Sequence, residues 1–343
     1  MTAADVHGLL LERDDDGPVR ARVTDLTPAD LPGGAEPAAE EVAVTVTHSS
    51  LNYKDALVVT GTGGPIVRTY PHVPGIDLAG TVTAVGPDVD PDVAAVGDEV
   101  LVTGCWLGER RWGGMATRAH VPASWLVRRP TGVDAATAMA LGTAGFTAQL
   151  CVDALAHGGV APGAGPVLVT GPTGGVGGIA VHLLARTGHE VVAATGRPGT
   201  EADLRTLGAS AVIPRSELEE LAERPLAGAR WAGVVDVAGG PVLAGALVST
   251  APHGVVAACG IAGGRRVEVD MAPFFARGVV LAGIDSVLHP MAERPAIWAR
   301  LAAAVEPDLL AGMTTTIPLD GVVDASRQLL AGGRRGRTVV AVG

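Results

Sequence analysis

The sequence predicts an α/β fold in which a β-rich antiparallel part precedes a doubly wound parallel sheet. Three observations carry that prediction. Pro166-Val-Leu-Val-Thr-Gly-Pro-Thr-Gly-Gly-Val-Gly-Gly178 reads as a buried strand feeding a glycine-rich turn that opens a helix. Near Asp134 the hydrophobic pattern changes from period-two alternation to strands interleaved with helical stretches. At the end of the chain it reverts to strand, helix and strand.

In chain order, period-two runs at 41–47, 79–85, 98–103 and 115–121, punctuated by Gly, Pro and Asp, describe an antiparallel sheet or small barrel. Residues 135–141 and 146–157 are alanine-rich and spaced as helices. Strand 167–170, helix 176–186 and strand 190–194 come next. Strands at 211–214, 233–237, 254–259 and 279–285 complete the parallel sheet, with residues 279–286 as its apolar edge. A helix at 292–305 precedes strand 314–319, helix 322–330 and strand 338–342. The expected organisation is a first domain over 1–130, a second over 131–293 and a return over 294–343 that folds back onto the first. The active site is then expected in the cleft between domains, at the carboxyl ends of the parallel strands.

The glycine-rich turn is a dinucleotide cradle. Gly171, Gly174 and Gly177 fall where a side chain would hold the backbone away from a pyrophosphate or push the helix off the sheet. The helix N-terminus adds amide donors and a favourable dipole. Residues at the end of the second strand select the cofactor. An NAD site places a carboxylate there for the ribose 2′-hydroxyl, whereas Ala194-Thr195-Gly196-Arg197 offers small polar groups and an arginine suited to the 2′-phosphate of NADPH.

Composition bounds the rest. A chain of 343 residues, 48% hydrophobic and 18% charged, can bury two sizeable cores. A net charge of −11 argues against nucleic acid or an anionic membrane as the main partner. The leading apolar run, Leu9 to Leu11, is short and followed by Glu12, Arg13 and three aspartates, so no signal peptide or membrane span is expected and the cytoplasm is the expected location. Cys105, Cys151 and Cys259 form no C-x-x-C pair, and the nine histidines form no H-E-x-x-H. Reduced thiols and no metal site are expected.

Longer strings carry a resemblance. A β-rich part, an inserted dinucleotide-binding part and a returning C-terminus resemble the medium-chain dehydrogenase/reductase superfamily. Ser49-Ser-Leu-Asn-Tyr-Lys-Asp-Ala56, Val73-Pro-Gly-Ile-Asp-Leu-Ala-Gly-Thr-Val82, Trp231-Ala-Gly-Val-Val-Asp236, Ala258-Cys-Gly-Ile-Ala-Gly-Gly264, Gly283-Ile-Asp-Ser286 and Gly336-Arg-Thr338 are similar to the zinc-independent, quinone-oxidoreductase-like branch that contains NADPH-dependent acrylyl-CoA reductases. The resemblance implies a GroES-like β-rich catalytic domain beside a Rossmann sheet. It also implies reduction of the double bond of a short α,β-unsaturated acyl-CoA, with quinone or enone reduction as the near alternative and a non-catalytic NADPH-binding sensor or structural protein as the distant one. A homodimer paired through the edge strand is implied as well. Zinc-dependent members hold their metal with a cysteine near Asn52 and a His-Glu pair near Ile76-Asp77, plus a four-cysteine lobe, and none of these ligands stands here.

The same resemblance implies further roles. Asn52 and Tyr53 are the candidate catalytic pair, Asn52 as donor to the developing enolate oxygen and Tyr53 as cofactor contact or proton donor. Thr173, Gly174, Gly175 and Val176 lie along the pyrophosphate. Thr195, Gly196, Arg197 and Arg215 hold the 2′-phosphate, and Ile261, Phe275 and Ser286 line the nicotinamide side. Phe275 reads equally as a core aromatic. Lys54, the lone lysine, reads either as a wanted ammonium or as the structural partner of Asp55 or Asp77. Arg334, Arg335 and Arg337 read as a coenzyme A phosphate contact or a solvated turn.

Overall fold

The structure is a computed structural model describing residues 6–14 and 17–343, so Asp15 and Asp16 of the acidic run lie outside the described residues. The chain separates into two compact units, one running to Thr143 and resuming at Val287–Ala302 and Leu310–Gly343, the other comprising Ala144–Ser286 and Ala303–Leu309.

The first unit opens with β1 (Val6–Glu12) and β2 (Arg20–Leu26), an antiparallel pair. Leu9, Leu10 and Leu11 are all buried, so β1 shows a continuous apolar run and not the alternation that marks a one-sided strand. β3 (Glu41–Ser50) is followed by α1 (Tyr53–Val59), β4 (Asp77–Val85), β5 (Glu99–Thr103), β6 (Arg118–Pro122) and β7 (Val127–Arg128). The expected strand at 115–121 thus begins later. Residues before Arg118 bond to β1 instead: Leu9 N–H donates to the Met115 carbonyl at 2.9 Å and Thr117 N–H to that of His7 at 2.8 Å. Helix α2 (Ala135–His157) is broken at Gly142, with φ 50° and ψ −156°, where the expected pair of helices divides. It is long and apolar enough to cross a membrane by composition, but 78% of its apolar window is buried within the protein.

The second unit is built on β8 (Val167–Thr170), α3 (Gly175–Arg186), β9 (Val191–Thr195), α4 (Glu201–Thr206), β10 (Ala211–Pro214), α5 (Ser216–Glu219), β11 (Trp231–Asp236), α6 (Gly240–Val248), β12 (Thr250–Ala258), α7 (Ala272–Arg277) and β13 (Val280–Gly283). The strands form one parallel sheet in the order β10-β9-β8-β11-β12-β13. The order reverses between β8 and β11, the crevice at which doubly wound sheets bind ligands. Leu168, Val234, Val256, Leu243 and Leu247 pack in its core.

The return comprises α8 (Arg294–Ala304), α9 (Pro307–Gly312), β14 (Thr314–Pro318), α10 (Val322–Leu330) and β15 (Arg337–Ala341). β15 pairs antiparallel with β3 and parallel with β14, giving a sheet ordered β14-β15-β3-β4-β5-β7, with β6 also on β3. Val340, Val342 and Val322 enter the same core as Val44, Leu78 and Val102. The last strand of the chain is therefore central to the first unit.

Candidate active site

In the second unit every parallel strand delivers a loop to one edge. After β8 the chain turns through Gly171, with φ 58°, and Gly174 caps α3 with extended backbone. A side chain at Gly177 would overlap the Gly171 carbonyl, so only glycine lets the first turn of α3 close on the strand. Thr173, Gly174, Gly175 and Val176 remain partly accessible around the amide groups that open the helix. Beneath them the fully buried Asp236 accepts from the Thr170 hydroxyl at 2.7 Å and the Gly239 amide at 2.8 Å, tying the carboxyl ends of β8 and β11 together. Burial raises the pKa of this carboxyl, and those hydrogen bonds oppose the shift. In the sequence Asp236 closes an apolar strand and one of the strings that carry the resemblance, with no partner assigned to it.

β9 ends in Thr195, and the Arg197 amide donates to the Thr195 hydroxyl at 3.1 Å, closing a tight turn. Arg215 lies against this turn, its Nε 2.8 Å from where a side chain on Gly196 would begin. It also pairs with Glu219 at 3.3 Å. The structure thus brings Thr195, Gly196, Arg197 and Arg215 together with no carboxylate at the end of β9. Ile261 and Ser286 follow β12 and β13 on the same edge, Ile261 44% exposed. Phe275 stands on α7 and is 79% exposed, so it is not the core aromatic that its spacing allowed; its neighbour Phe274 packs into the core instead.

In the first unit Asn52 caps α1, and the Asp55 carboxylate accepts from the Asn52 amide N–H at 2.9 Å, the carboxylate half of a capping box. The spacing Asn52-x-x-Asp55 could have signalled this helix. Tyr53 stands at its first position, 39% exposed. Asn52 itself is turned inward. Its Nδ2 donates to Asp77 Oδ2 at 2.9 Å, Ser50 Oγ at 3.0 Å and Asp55 Oδ2 at 3.2 Å, and its Oδ1 accepts from Arg337 Nη1 at 3.0 Å. These bonds engage the amide in a buried network at the start of α1, and the expected role of Asn52 as donor to a substrate oxygen would have to compete with them.

That network joins residues remote in sequence. The Ser50 hydroxyl at 2.5 Å and the Thr143 hydroxyl at 2.5 Å converge on the Asp77 carboxylate, with the Thr143 amide at 3.0 Å. Gly142 must be glycine because a side chain there would begin 2.6 Å from Asp77 Oδ2, on backbone already at positive φ. The pKa of Asp55 is pushed up to about 7, chiefly by burial and further by Asp77, while the Asn52 and Ile76 amides oppose the shift.

Arg337 supplies the compensating cation. It is 3% exposed and donates to the Ala140 carbonyl at 2.7 Å and the Met139 carbonyl at 3.3 Å as well as to Asn52. Its expected place in a solvated cluster or on a coenzyme A phosphate is corrected accordingly. Arg334 bonds Thr338 and Gln328, and Arg335 is exposed. Lys54 pairs with neither Asp55 nor Asp77, whose oxygens are taken, but with the buried Glu109 at 2.9 Å.

The comparisons with known proteins agree with this fold. Residues 38–131 match the alcohol dehydrogenase GroES-like domain and residues 175–302 the family described as zinc-binding dehydrogenase. The chain is 45% identical to acrylyl-CoA reductase AcuI of Ruegeria pomeroyi, over 98% of this chain and 99% of that one. The chain belongs to the medium-chain dehydrogenase/reductase superfamily. Within this superfamily it is also 42% identical to the putative quinone oxidoreductase YhfP of Bacillus subtilis over 94% of each chain. The crystal structure of Escherichia coli K-12 YhdH with bound NADPH superposes with a TM-score of 0.91 at 45% identity, covering 98% of this chain and all of that one.

The zinc implied by the name of the second matching family does not fit the residues at Asn52 and Asp77. Neither offers the thiolate or imidazole that zinc prefers. The Asp77 oxygens already accept four hydrogen bonds, and a divalent cation there would face the buried guanidinium of Arg337. Among the described residues no group of three or more His, Cys, Asp or Glu side chains could hold a metal. The nicotinamide cofactor does fit. The glycine cradle leaves room for a pyrophosphate, and Arg197 and Arg215 flank a turn free of carboxylates.

Proposed function

We propose that this protein is a cytoplasmic, metal-independent, homodimeric reductase that uses NADPH to saturate the double bond of a short α,β-unsaturated acyl-CoA, converting acrylyl-CoA to propanoyl-CoA. The observation that carries this reading is the 45% identity to an acrylyl-CoA reductase along essentially the whole chain. The carboxylate-free turn at Thr195-Gly196-Arg197 supports NADPH as the cofactor.

The reduced nicotinamide, when bound, supplies a hydride to the β-carbon. The chain's own residues do the rest. Amides around Thr173, Gly174, Gly175 and Val176 receive the pyrophosphate, Thr195, Gly196, Arg197 and Arg215 hold the 2′-phosphate, and Ile261, Phe275 and Ser286 border the nicotinamide side. Tyr53, presented by the cap that Asn52 and Asp55 build, contacts the cofactor through its ring or gives a proton through its hydroxyl. Tyr53→Phe and Tyr53→Ala separate these two roles. If the hydroxyl is the acid, Phe is expected to lower kcat by about 10²- to 10⁴-fold, the range of a general acid. If the ring supports the cofactor, Phe is tolerated and Ala raises the NADPH dissociation constant. Near-normal turnover and NADPH affinity in both variants would remove Tyr53 from the site.

A substrate panel followed at the nicotinamide absorbance tests the activity itself. Acrylyl-CoA is expected to be turned over with NADPH ahead of quinones and simple acrylate esters, and exhaustive chelation is expected to leave the rate unchanged. Preferred turnover of quinones would favour the activity named for the Bacillus subtilis relative, and loss of activity restored by zinc would overturn metal independence.

The dimer reading rests on β13, the sheet edge, where Val280 is 52% and Leu281 44% exposed. An uncovered apolar edge strand invites pairing with a second copy. Light scattering is expected to give twice the 34.4 kDa chain mass, and a monomer at micromolar concentration would refute it.

A further inference from the structure

Arg265 and Arg266 stand out among the arginines of this acidic protein. Elsewhere guanidinium groups are commonly engaged with carboxylates, as in Arg186 with Glu306, Arg205 with Glu201 and Arg327 with Asp324. Arg265 and Arg266 are consecutive, both exposed, and neither has a hydrogen-bond or ion-pair partner among the described residues. Of the acidic groups farther along the same loop, Glu268 is exposed, and Asp270 is turned onto the Ala272 amide at 2.7 Å.

The loop that carries them is anchored. It leaves the carboxyl end of β12, and the Gly263 amide donates to the Ala238 carbonyl at 2.7 Å, while Gly264 bridges to Gly239 after β11. The exposed side chain of Ile261 opens the loop and the two cations close it, so a small apolar group and a polyanion find their counterparts within six residues.

The loop that carries these cations belongs to a different strand from the 2′-phosphate turn. From β9, which ends at Thr195, the order runs through β8 and β11 to β12. Three inter-strand spacings amount to about 14 Å. The pair therefore shares the carboxyl end of β12 with Ile261, away from the turn after β9.

We propose that Arg265 and Arg266 form an anion clamp for the phosphates of the coenzyme A moiety. The inference rests on the acyl-CoA reading above and adds the residues that distinguish a coenzyme A thioester from its uncharged fragment. Two forked guanidinium groups suit phosphate oxygens, and exposed cations of this kind act in a salt-dependent manner.

The test compares wild type with the Arg265→Ala/Arg266→Ala double variant on acrylyl-CoA and on the acrylyl thioester of N-acetylcysteamine, which lacks the phosphates. The expected result is a rise in KM for acrylyl-CoA of about 10- to 100-fold, the range of one to two charge-assisted contacts, weaker at high salt. The loss is confined to the substrate that carries phosphates, and NADPH affinity is retained. A KM within twofold of wild type, equal losses on both thioesters, or a rise in the NADPH dissociation constant would overturn the clamp. If wild type reduces neither thioester, the activity reading falls, and coenzyme A titrated calorimetrically into the NADP⁺-saturated protein decides the clamp separately. Binding weakened at least tenfold by the double variant sustains it; absent or unchanged binding removes it.

Discussion

Replacing Arg337 by methionine is expected to destabilise the first unit by about 3–5 kcal/mol, the cost of removing one member of a buried charge cluster. The guanidinium sits among the Ala140 and Met139 carbonyls and the Asn52 amide oxygen, and Asp77 and Asp55 are the charges it offsets. Methionine fills part of the volume but leaves those carbonyls and both carboxyls without the cation. For a unit of this size the loss corresponds to about 6–20 °C in the first thermal transition. Arg335→Ala, two residues away and exposed, is the control, expected within about 0.5 kcal/mol of the parent. Equal melting temperatures for the two variants would show that Arg337 does not hold the network together.

Arg197→Ala is expected to raise the NADPH dissociation constant by about 10- to 100-fold and to leave that for NADH nearly unchanged, since a hydrogen bond to a charged group contributes about 1.5–3 kcal/mol. Arg197 stands at the turn after β9, and Arg215 beside Gly196 supplies a second cation, so the loss is partial and not complete. Titration of both cofactors by fluorescence or calorimetry measures it. Equal losses for the two would mean that Arg197 supports the turn and not the 2′-phosphate.

The difference between these two arginines shows how much of the protein was legible in its sequence. The place of Arg197 at the turn after β9 was legible because strand, turn and the residue after the strand are consecutive. Gly171, Gly174 and Gly177 declare themselves by spacing together with the strand before and the helix after them, and the division of α2 shows as two separate helical stretches on either side of Gly142. Arg337 was not legible. Beside Arg334 and Arg335 it reads as one of three surface cations, and only the pairing of β15 with β3 carries it into the interior.

The same division runs through the candidate site. By itself the sequence determined the α/β class, the phosphate cradle, the absence of a carboxylate after β9 and the superfamily resemblance, each of which is read from local patterns and strings of neighbouring residues. Tertiary structure decided that Asn52 faces Asp77 and Arg337, that Lys54 meets Glu109, and that residues 115–117 bond to β1. Hydrophobic periodicity records which face of an element is buried, but it does not record which distant element covers that face. A buried polar side chain is therefore assigned a partner only when the chain has folded, because its hydrogen bonds must be satisfied by whichever donors and acceptors the fold brings within about 3 Å.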